Sequence, residues 1–286
     1  MMKIGLSSYS LSRAIKAGEM DIFGAMDFVK EHNGEHIEIV PGSFGEMSVT
    51  LAEQIAQKAK NIQLDLSSYT IGANFIKETP EAVQAEVERI KKEVEIAARL
   101  GVTRMRHDCA WRDQSQCGYA TFEKDLPMLA DCCGQIADKA REYGIVTSIE
   151  NHGFYVQASE RVLRLILTVN RDNFRTTMDV GNFLCADEDP EVAALHNTPY
   201  ASMVHFKDFY IRKSVPCPEG FIKTPAGRFL RGAVTGEGDV DLPAIVRILK
   251  ANNYDGFLSI EYEGREECKE GCTRALQNVR LLVENN

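Results

Sequence analysis

The sequence has no apolar run near the roughly 18 residues needed to cross a bilayer; its longest apolar stretches are strand-sized, such as Ile37-Glu38-Ile39-Val40. Its N-terminus, Met1-Met2-Lys3-Ile4-Gly5-Leu6, lacks the apolar core and small-residue cleavage site of a secretory signal, so a cytoplasmic location is the expectation. None of the eight cysteines falls in a C-x-x-C. Cys132 and Cys133 are adjacent, and Cys268 and Cys272 sit four apart in an expected helix, so free thiols are read rather than disulfides or a cysteine zinc site. There is no basic excess: 33 Lys and Arg face 42 Asp and Glu, a net charge of −9, which argues against a nucleic-acid partner. Neither G-x-G-x-x-G after the first strand nor G-x-x-x-x-G-K-[ST] occurs, which removes the nucleotide-binding signatures. Ordinary hydrophobic (44%) and charged (26%) contents exclude a disordered chain, a collagen and a coiled coil.

What is present is an alternation. Eight strand-length apolar segments are expected at Lys3–Ser7, His36–Val40, Ile62–Leu66, Thr103–His107, Ile145–Glu150, Arg175–Asp179, Ser202–Phe206 and Phe257–Glu261, with helical periodicity between most of them. The clearest helix spans Pro80 to Leu100: Thr79 is its N-cap, Gly101 follows its end, and Val83, Val87, Ile90, Val94 and Ala97 form one stripe. Other helices are expected over Phe122–Tyr143, after Ser159 (Leu163, Ile166 and Leu167 inward), after Asp241, and over Glu266–Val283. Eight such units over residues 1–286 predict a (β/α)8 TIM barrel in one domain. The long stretch Phe209–Val240, rich in proline and glycine, reads as a functional loop.

Barrel chemistry sits at the C-terminal ends of the strands. Four consecutive strands each carry a metal-capable side chain there: Glu150 in Ser148-Ile149-Glu150, Asp179 in Met178-Asp179-Val180, His205 in Val204-His205-Phe206, and Glu261 in Ser259-Ile260-Glu261. Neighbouring strands lie about 4.8 Å apart, so these ends can converge on one ion. Three carboxylates and an imidazole suit one divalent metal ion: Mn²⁺, Mg²⁺, Co²⁺ or Zn²⁺.

This series, with Ile149-Glu150-Asn151-His152-Gly153, Met178-Asp179-Val180-Gly181-Asn182, His205-Phe206-Lys207-Asp208, Gly236-Glu237-Gly238 and Ser259-Ile260-Glu261-Tyr262-Glu263-Gly264, resembles the xylose-isomerase-like TIM barrels, the sugar phosphate isomerase/epimerase group. The resemblance covers most of the chain and is strongest from Glu150 to Leu282. It implies a small-molecule sugar or keto-sugar substrate, and catalytic roles for Glu150 and Glu261, which flank the substrate and move the proton in the ketose 3-epimerases of the group. Barrels of this kind often pair, which makes a homodimer the assembly to look for. The DNA-repair branch of the superfamily carries extra histidines for a three-zinc cluster; Asn182 and Asp65-Leu66-Ser67-Ser68 stand where two would be expected, so a phosphodiesterase site does not fit.

A second tier surrounds these residues. His152 follows Glu150 by two and is a candidate general base distinct from the ligands. His107 and Trp111 follow strand four as candidate contacts to a hydroxyl and a sugar face, Asn182 follows strand six, and Glu38 lies in strand two, where it bonds locally or to ligand. The long loop carries Arg212, Lys213, Lys223, Arg228 and Arg231; Lys207 and Arg231 are the favoured substrate contacts, and His32, His36 and His196 read as structural or exposed. The leading expectation is a metal-dependent sugar isomerase or epimerase working through an enediolate. A lyase or dehydratase on the same site, of the inosose-dehydratase or 3-keto-glycoside type, is second. A non-catalytic sugar-binding subunit is third.

Overall fold

The computed structural model describes residues 2–286. Seven parallel strands, β1 (Lys3–Ser7), β2 (His36–Ile39), β3 (Asp65–Ile71), β4 (Arg104–His107), β5 (Val146–Glu150), β6 (Phe174–Asp179) and β7 (Ala201–Phe206), pair in chain order. A separate antiparallel sheet follows, of β8 (Asp208–Arg212), β9 (Ile222–Lys223) and β10 (Phe229–Ala233). The last strand, β11 (Phe257–Ile260), inserts between β7 and β1 and closes the barrel, with Gly5 opposite Ser259. The result is the expected TIM barrel of eight parallel strands with surrounding helices.

The outer layer is α1 (Ser12–Lys16), α2 (Ile22–Glu31), α3 (Val49–Ile62), α4 (Pro80–Leu100), α5 (Tyr119–Arg141), α6 (Ser159–Val169), α7 (Pro190–Asn197), α8 (Leu242–Ala251) and α9 (Cys268–Asn285). In α4 the Thr79 side chain accepts from Ala82 N–H at 3.2 Å, Pro80 occupies the first turn, and Gly101 ends the helix at φ 77°. Its Val87, Ile90, Val94 and Ala97 are fully buried, and each Val or Ile contributes roughly 1.5–3 kcal/mol by burial. No helix among the described residues is long and apolar enough to cross a membrane, and all eight cysteines are free.

Three expectations need correction. The third strand is Asp65–Ile71, not Ile62–Leu66: α3 runs on to Ile62, and Gln63 stops it in the left-handed region at φ 54°. The segment Phe209–Val240 is not all loop, because β8 pairs antiparallel with β10. Asp208 ties the start of β8 to the loop that follows β10: its carboxylate accepts from the backbone N–H groups of Phe209, Gly236, Gly238 and Val240 at 2.8–3.2 Å. Gly238 is required there, since a Cβ would lie 2.1 Å from Asp208 Oδ1. In α6, Leu167 is exposed, and Val162, Leu165, Ile166 and Val169 form the buried face.

Candidate metal centre

Side chains alternate across each strand, so residues two apart share a face. This parity turns Glu38, Glu150, Asp179, His205 and Glu261 into the barrel. Glu150, Asp179, His205 and Glu261 each offer one ligand atom, and these atoms all lie within 4.8 Å of one another. Three of the four residues are buried, and Glu261 is partly buried at the mouth.

The surroundings aim these atoms. Asn151 pins the ends of β5 and β6 together, donating to Asp179 O at 2.7 Å and accepting from Asp179 N–H at 2.8 Å. Asp179 Oδ1 accepts from the N–H groups of Gly181 and Asn182 at 2.8 and 2.9 Å, which leaves Oδ2 facing the cluster. Gly181 is needed because a Cβ there would meet Lys207 O at 2.6 Å. His205 presents Nε2 to Glu38 Oε2 at 2.9 Å and Nδ1 to the cluster, 3.5 Å from Glu150 Oε1 and 3.9 Å from Glu261 Oε1. Glu38 is itself fixed by Thr70 and by Ser259 Oγ at 3.1 Å. A carboxylate behind a histidine is the usual support of a metal-bound imidazole.

Two cations are built into the cluster: Arg106, which the sequence reading did not single out, and Lys207, which it named as a substrate contact. Arg106 Nη2 lies 2.8 Å from Glu150 Oε2 and 2.8 Å from Asp108 Oδ1. Lys207 Nζ lies 2.6 Å from Glu261 Oε2, 3.3 Å from Asp179 Oδ2 and 3.5 Å from Glu263 Oε2, and donates to Asn182 Oδ1 at 3.3 Å. Burial opposes ionisation of Glu150, but Arg106 and His205 outweigh it and hold that carboxyl well below the usual range. Burial pushes Asp179 up to about 7; Lys207 opposes the shift, while Glu150 and Glu261 add to it. Lys207 and His205 resist their own burial because of the carboxylates around them, and both are raised.

These residues fit a cation. Asp179 Oδ2 and His205 Nδ1 are buried and make no hydrogen bond, although Lys207 Nζ stands 3.3 Å from Asp179 Oδ2, and buried polar groups are costly unless something satisfies them. Three converging carboxylates also repel one another unless positive charge lies between them. Oxygen with one imidazole is a donor set for a divalent ion.

The remaining site residues are dispersed. Asn182 is buried, and its Nδ2 donates to Glu150 Oε1 at 3.0 Å, so it orients a cluster residue. The strand ends at Glu150, the chain bends at Asn151, and His152 forms an isolated antiparallel bridge with Val156, its side chain half-exposed and Nδ1 3.7 Å from Asp108 Oδ1. Asp108 and Arg106 thus link it to Glu150 through side chains. Trp111 is 62% exposed, its Cδ1 3.7 Å from where a Cβ on Gly153 would stand, at the rim near His152. His107 does not face the site: Arg106 takes the inward position, and His107 is fully buried between the rings of Phe75 and Phe174, 6.2 Å from each. Arg231, in β10, lies over the Tyr210 ring at 4.9 Å. Of the other loop cations, Arg212 pairs with Asp239 and Arg228 with Asp187. The clue to Arg106 was an arginine in the interior of the short strand Arg104-Met105-Arg106-His107, where a buried charge needs a partner. A cavity of about 540 Å³, bounded by Val40, Pro41, Met47, Ile71 and Gly72, is also lined by Thr70 and Arg106, which contact Glu38 and Glu150 respectively.

A family model described as xylose isomerase-like TIM barrel matches residues 26–283. Among curated proteins, the inosose dehydratase of Clostridium perfringens (strain 13 / Type A) is 26% identical over 152 residues, covering 51% of this chain and 50% of that protein. The chain spans about half the length of the curated relatives it matches. Among solved structures, the IOLI protein with a bound zinc atom aligns at TM-score 0.78 with 16% identity, over 99% of both chains. D-psicose 3-epimerase in the presence of D-fructose aligns at TM-score 0.75 with 18% identity, also over 99% of both. At these identities the structural likeness speaks for the fold.

Proposed function

Because the chain belongs to the xylose isomerase-like TIM barrel family, we propose that it is a divalent-metal-dependent enzyme that removes a proton next to the carbonyl of a keto-sugar or keto-polyol. Glu150, Asp179, His205 and Glu261 hold the ion in this reading. The observation that carries it is the convergence of one ligand atom from each of Glu150, Asp179, His205 and Glu261 within 4.8 Å of one another, with Asp179 Oδ2 and His205 Nδ1 buried and making no hydrogen bond. When bound, the ion would polarise the substrate carbonyl and so acidify the adjacent C–H.

The chain's own residues do the rest. Glu38 keeps the His205 Nδ1 face directed inward, and Asn182 and Arg106 fix Glu150. A base takes the proton and leaves an enediolate. Return of the proton to the other face gives an epimer, and to the neighbouring carbon an isomer. Departure of a hydroxyl from the next carbon, as water formed with the proton that the base removed, gives an unsaturated ketone. The isomerase or epimerase outcome asks Glu150 and Glu261 to act as bases on two faces. One observation favours the elimination outcome. Glu150 has both oxygens engaged, by Arg106 at 2.8 Å and Asn182 at 3.0 Å, and Glu261 has one engaged by Lys207 at 2.6 Å. His152 is the base left at the mouth, and its proton affinity is raised, chiefly by Asp108. The similarity to inosose dehydratases supports the same outcome.

The test incubates metal-loaded protein with scyllo-inosose and with D-fructose in D₂O. Elimination predicts an unsaturated product from the inosose; epimerisation predicts deuterium in recovered ketose and no unsaturated product. If neither exchange nor product appears with any divalent ion, the proposed chemistry is wrong.

A further inference from the structure

Two arginines are buried among the described residues, and they are compensated differently. Arg106 meets two carboxylates at 2.8 Å. Arg161, in the first turn of α6, is 8% exposed and pairs with no carboxylate among the described residues. Its guanidinium donates to the carbonyls of Tyr155 and Cys117, both at 2.7 Å. It also lies on the rings of Tyr119 and Phe122 at 5.0 and 5.4 Å, and Nε has no partner. A buried arginine is ordinarily paired with an anion, and carbonyl and ring dipoles do not neutralise a full charge.

Arg161 lines a cleft of about 810 Å³ that shares no residue with the metal cluster or with the cavity beside it. Another wall is the hairpin segment Lys223, Thr224 and Pro225. Residues 209–235 carry five cations, Arg212, Lys213, Lys223, Arg228 and Arg231, against one acid, Glu219, in a chain of net charge −9. The hairpin therefore brings positive charge to this rim. Lys223 is exposed and pairs with no carboxylate among the described residues. Its place is fixed, because Asp187 accepts from Thr224 Oγ1 and from the Ala226 N–H, both at 2.6 Å. No aspartate or glutamate lines the cleft. The nearby acids in sequence are engaged elsewhere: Asp187 also by Arg228, Asp113 by the Ser115 N–H at 3.0 Å, and Glu188 by the Ser159 N–H at 2.7 Å. Glu160 is exposed on α6.

Two rings complete the wall. Tyr119 lies against Arg161 and is still 72% exposed. Phe154 sits in the left-handed region at φ 64°, beside Gly153 at φ 75°, and its N–H donates to Gln157 Oε1 at 2.6 Å. That backbone is costly for an aromatic residue and persists only where its surroundings over-determine it. The strained residue is part of the cleft wall. A cleft of this size takes a small molecule. The two cations ask for an anionic group, and the rings for a flat apolar body.

The geometry points to a second ligand site, for a small organic anion with a flat apolar body. Arg161 and Lys223 hold its carboxylate or phosphate, and Tyr119 and Phe154 its ring. The site is independent of the metal centre and of the reaction proposed there.

The experiment titrates the full chain, metal-loaded and chelator-stripped, with benzoate, phenyl phosphate and uncharged benzamide. Calorimetry gives the affinities. Trp111 is the only tryptophan and stands against Gly153, so its emission reports on the turn that carries Phe154. The expected result is saturable binding of at least one anion, equal in the two metal states, with benzamide weaker by roughly 10-fold. Lys223→Glu, which changes an exposed side chain, should weaken the anion by roughly 10-fold and leave metal binding unchanged. Saturable binding of neither anion, benzamide binding as tightly, or undiminished affinity in Lys223→Glu overturns the inference. Binding that requires the divalent ion places the anion at the metal centre and overturns it as well, while the proton-abstraction proposal stands in every case.

Discussion

Glu38 Oε2 lies 2.9 Å from Nε2 of His205, behind the imidazole as seen from the other three cluster residues. The pair is fully buried, and Thr70 and Ser259 fix the carboxylate from its other sides. A histidine so held can present only Nδ1 to the cluster. Glu38→Gln keeps the shape but weakens that hold, so affinity for Co²⁺ or Mn²⁺ should fall roughly 10–100-fold. Competition against a fluorescent chelator measures it. Unchanged affinity in a folded variant would show that Glu38 has no part in holding the ion.

Arg106 neutralises Glu150 in a site with almost no solvent. Removing it leaves a buried carboxylate without its cation, which typically costs about 3–5 kcal/mol. Arg106→Met should therefore lower the metal-free protein's unfolding free energy by that order in urea. Added divalent ion should restore part of the loss, because it supplies positive charge to the same carboxylates. Equal loss with and without ion would argue that Glu150 and the ion do not share a site.

Two histidines outside the cluster make the protein acid-sensitive. Burial pushes His36 and His107 down to about 4, opposed in part by the backbone carbonyls of Leu258 and Asp108 respectively. Between pH 6.5 and 4 the unfolded chain binds the protons and the folded chain does not, so stability is full above about pH 6.5 and falls as pH drops toward 4. Each histidine should contribute a loss of about 2 kcal/mol between pH 7 and pH 5, from the 1.36 kcal/mol carried by each pK unit. Urea midpoints at the two pH values should lie closer together in His107→Gln than in the wild type. An unchanged separation would show that His107 does not titrate in this way.

The β8–β10 sheet depends on Asp208, whose carboxylate serves four backbone donors. Asp208→Asn turns an N–H donor toward donors and loses charge-assisted bonds worth roughly 1.5–3 kcal/mol each. Faster proteolytic cleavage between residues 213 and 227 is the expected result, with the barrel surviving as a large fragment. Cleavage at the wild-type rate would mean that other contacts hold the sheet.

Much of this was legible in the sequence. Glu150, Asp179, His205 and Glu261 each stand at the end of an apolar strand, and closure of the barrel brings such ends together whatever the loops do. The misreadings have a common cause. Ile62–Leu66 looks like a strand because it is apolar, whereas the real strand carries Ser68 and Thr70 toward a polar interior where Thr70 meets Glu38. His107 looked like a contact because it ends a strand, but Arg106 had already taken the inward parity. Leu167 was assigned inward on a period that α6 satisfies with Val162, Leu165, Ile166 and Val169 instead. Arg106 and Asp108 could not be placed beside Glu150 and His152 before the register between β4 and β5 was known, with Arg106 opposite Ser148.

The most direct measurement is the stoichiometry of divalent metal bound to chelator-stripped protein, read by elemental analysis and by calorimetric titration with Mn²⁺ and Co²⁺. One ion per chain should bind the wild type, and binding should be lost in both Asp179→Ala and His205→Ala, which remove two buried ligand atoms that make no hydrogen bond. If the wild type binds no ion, or if both folded variants bind as it does, these four side chains do not form a metal centre.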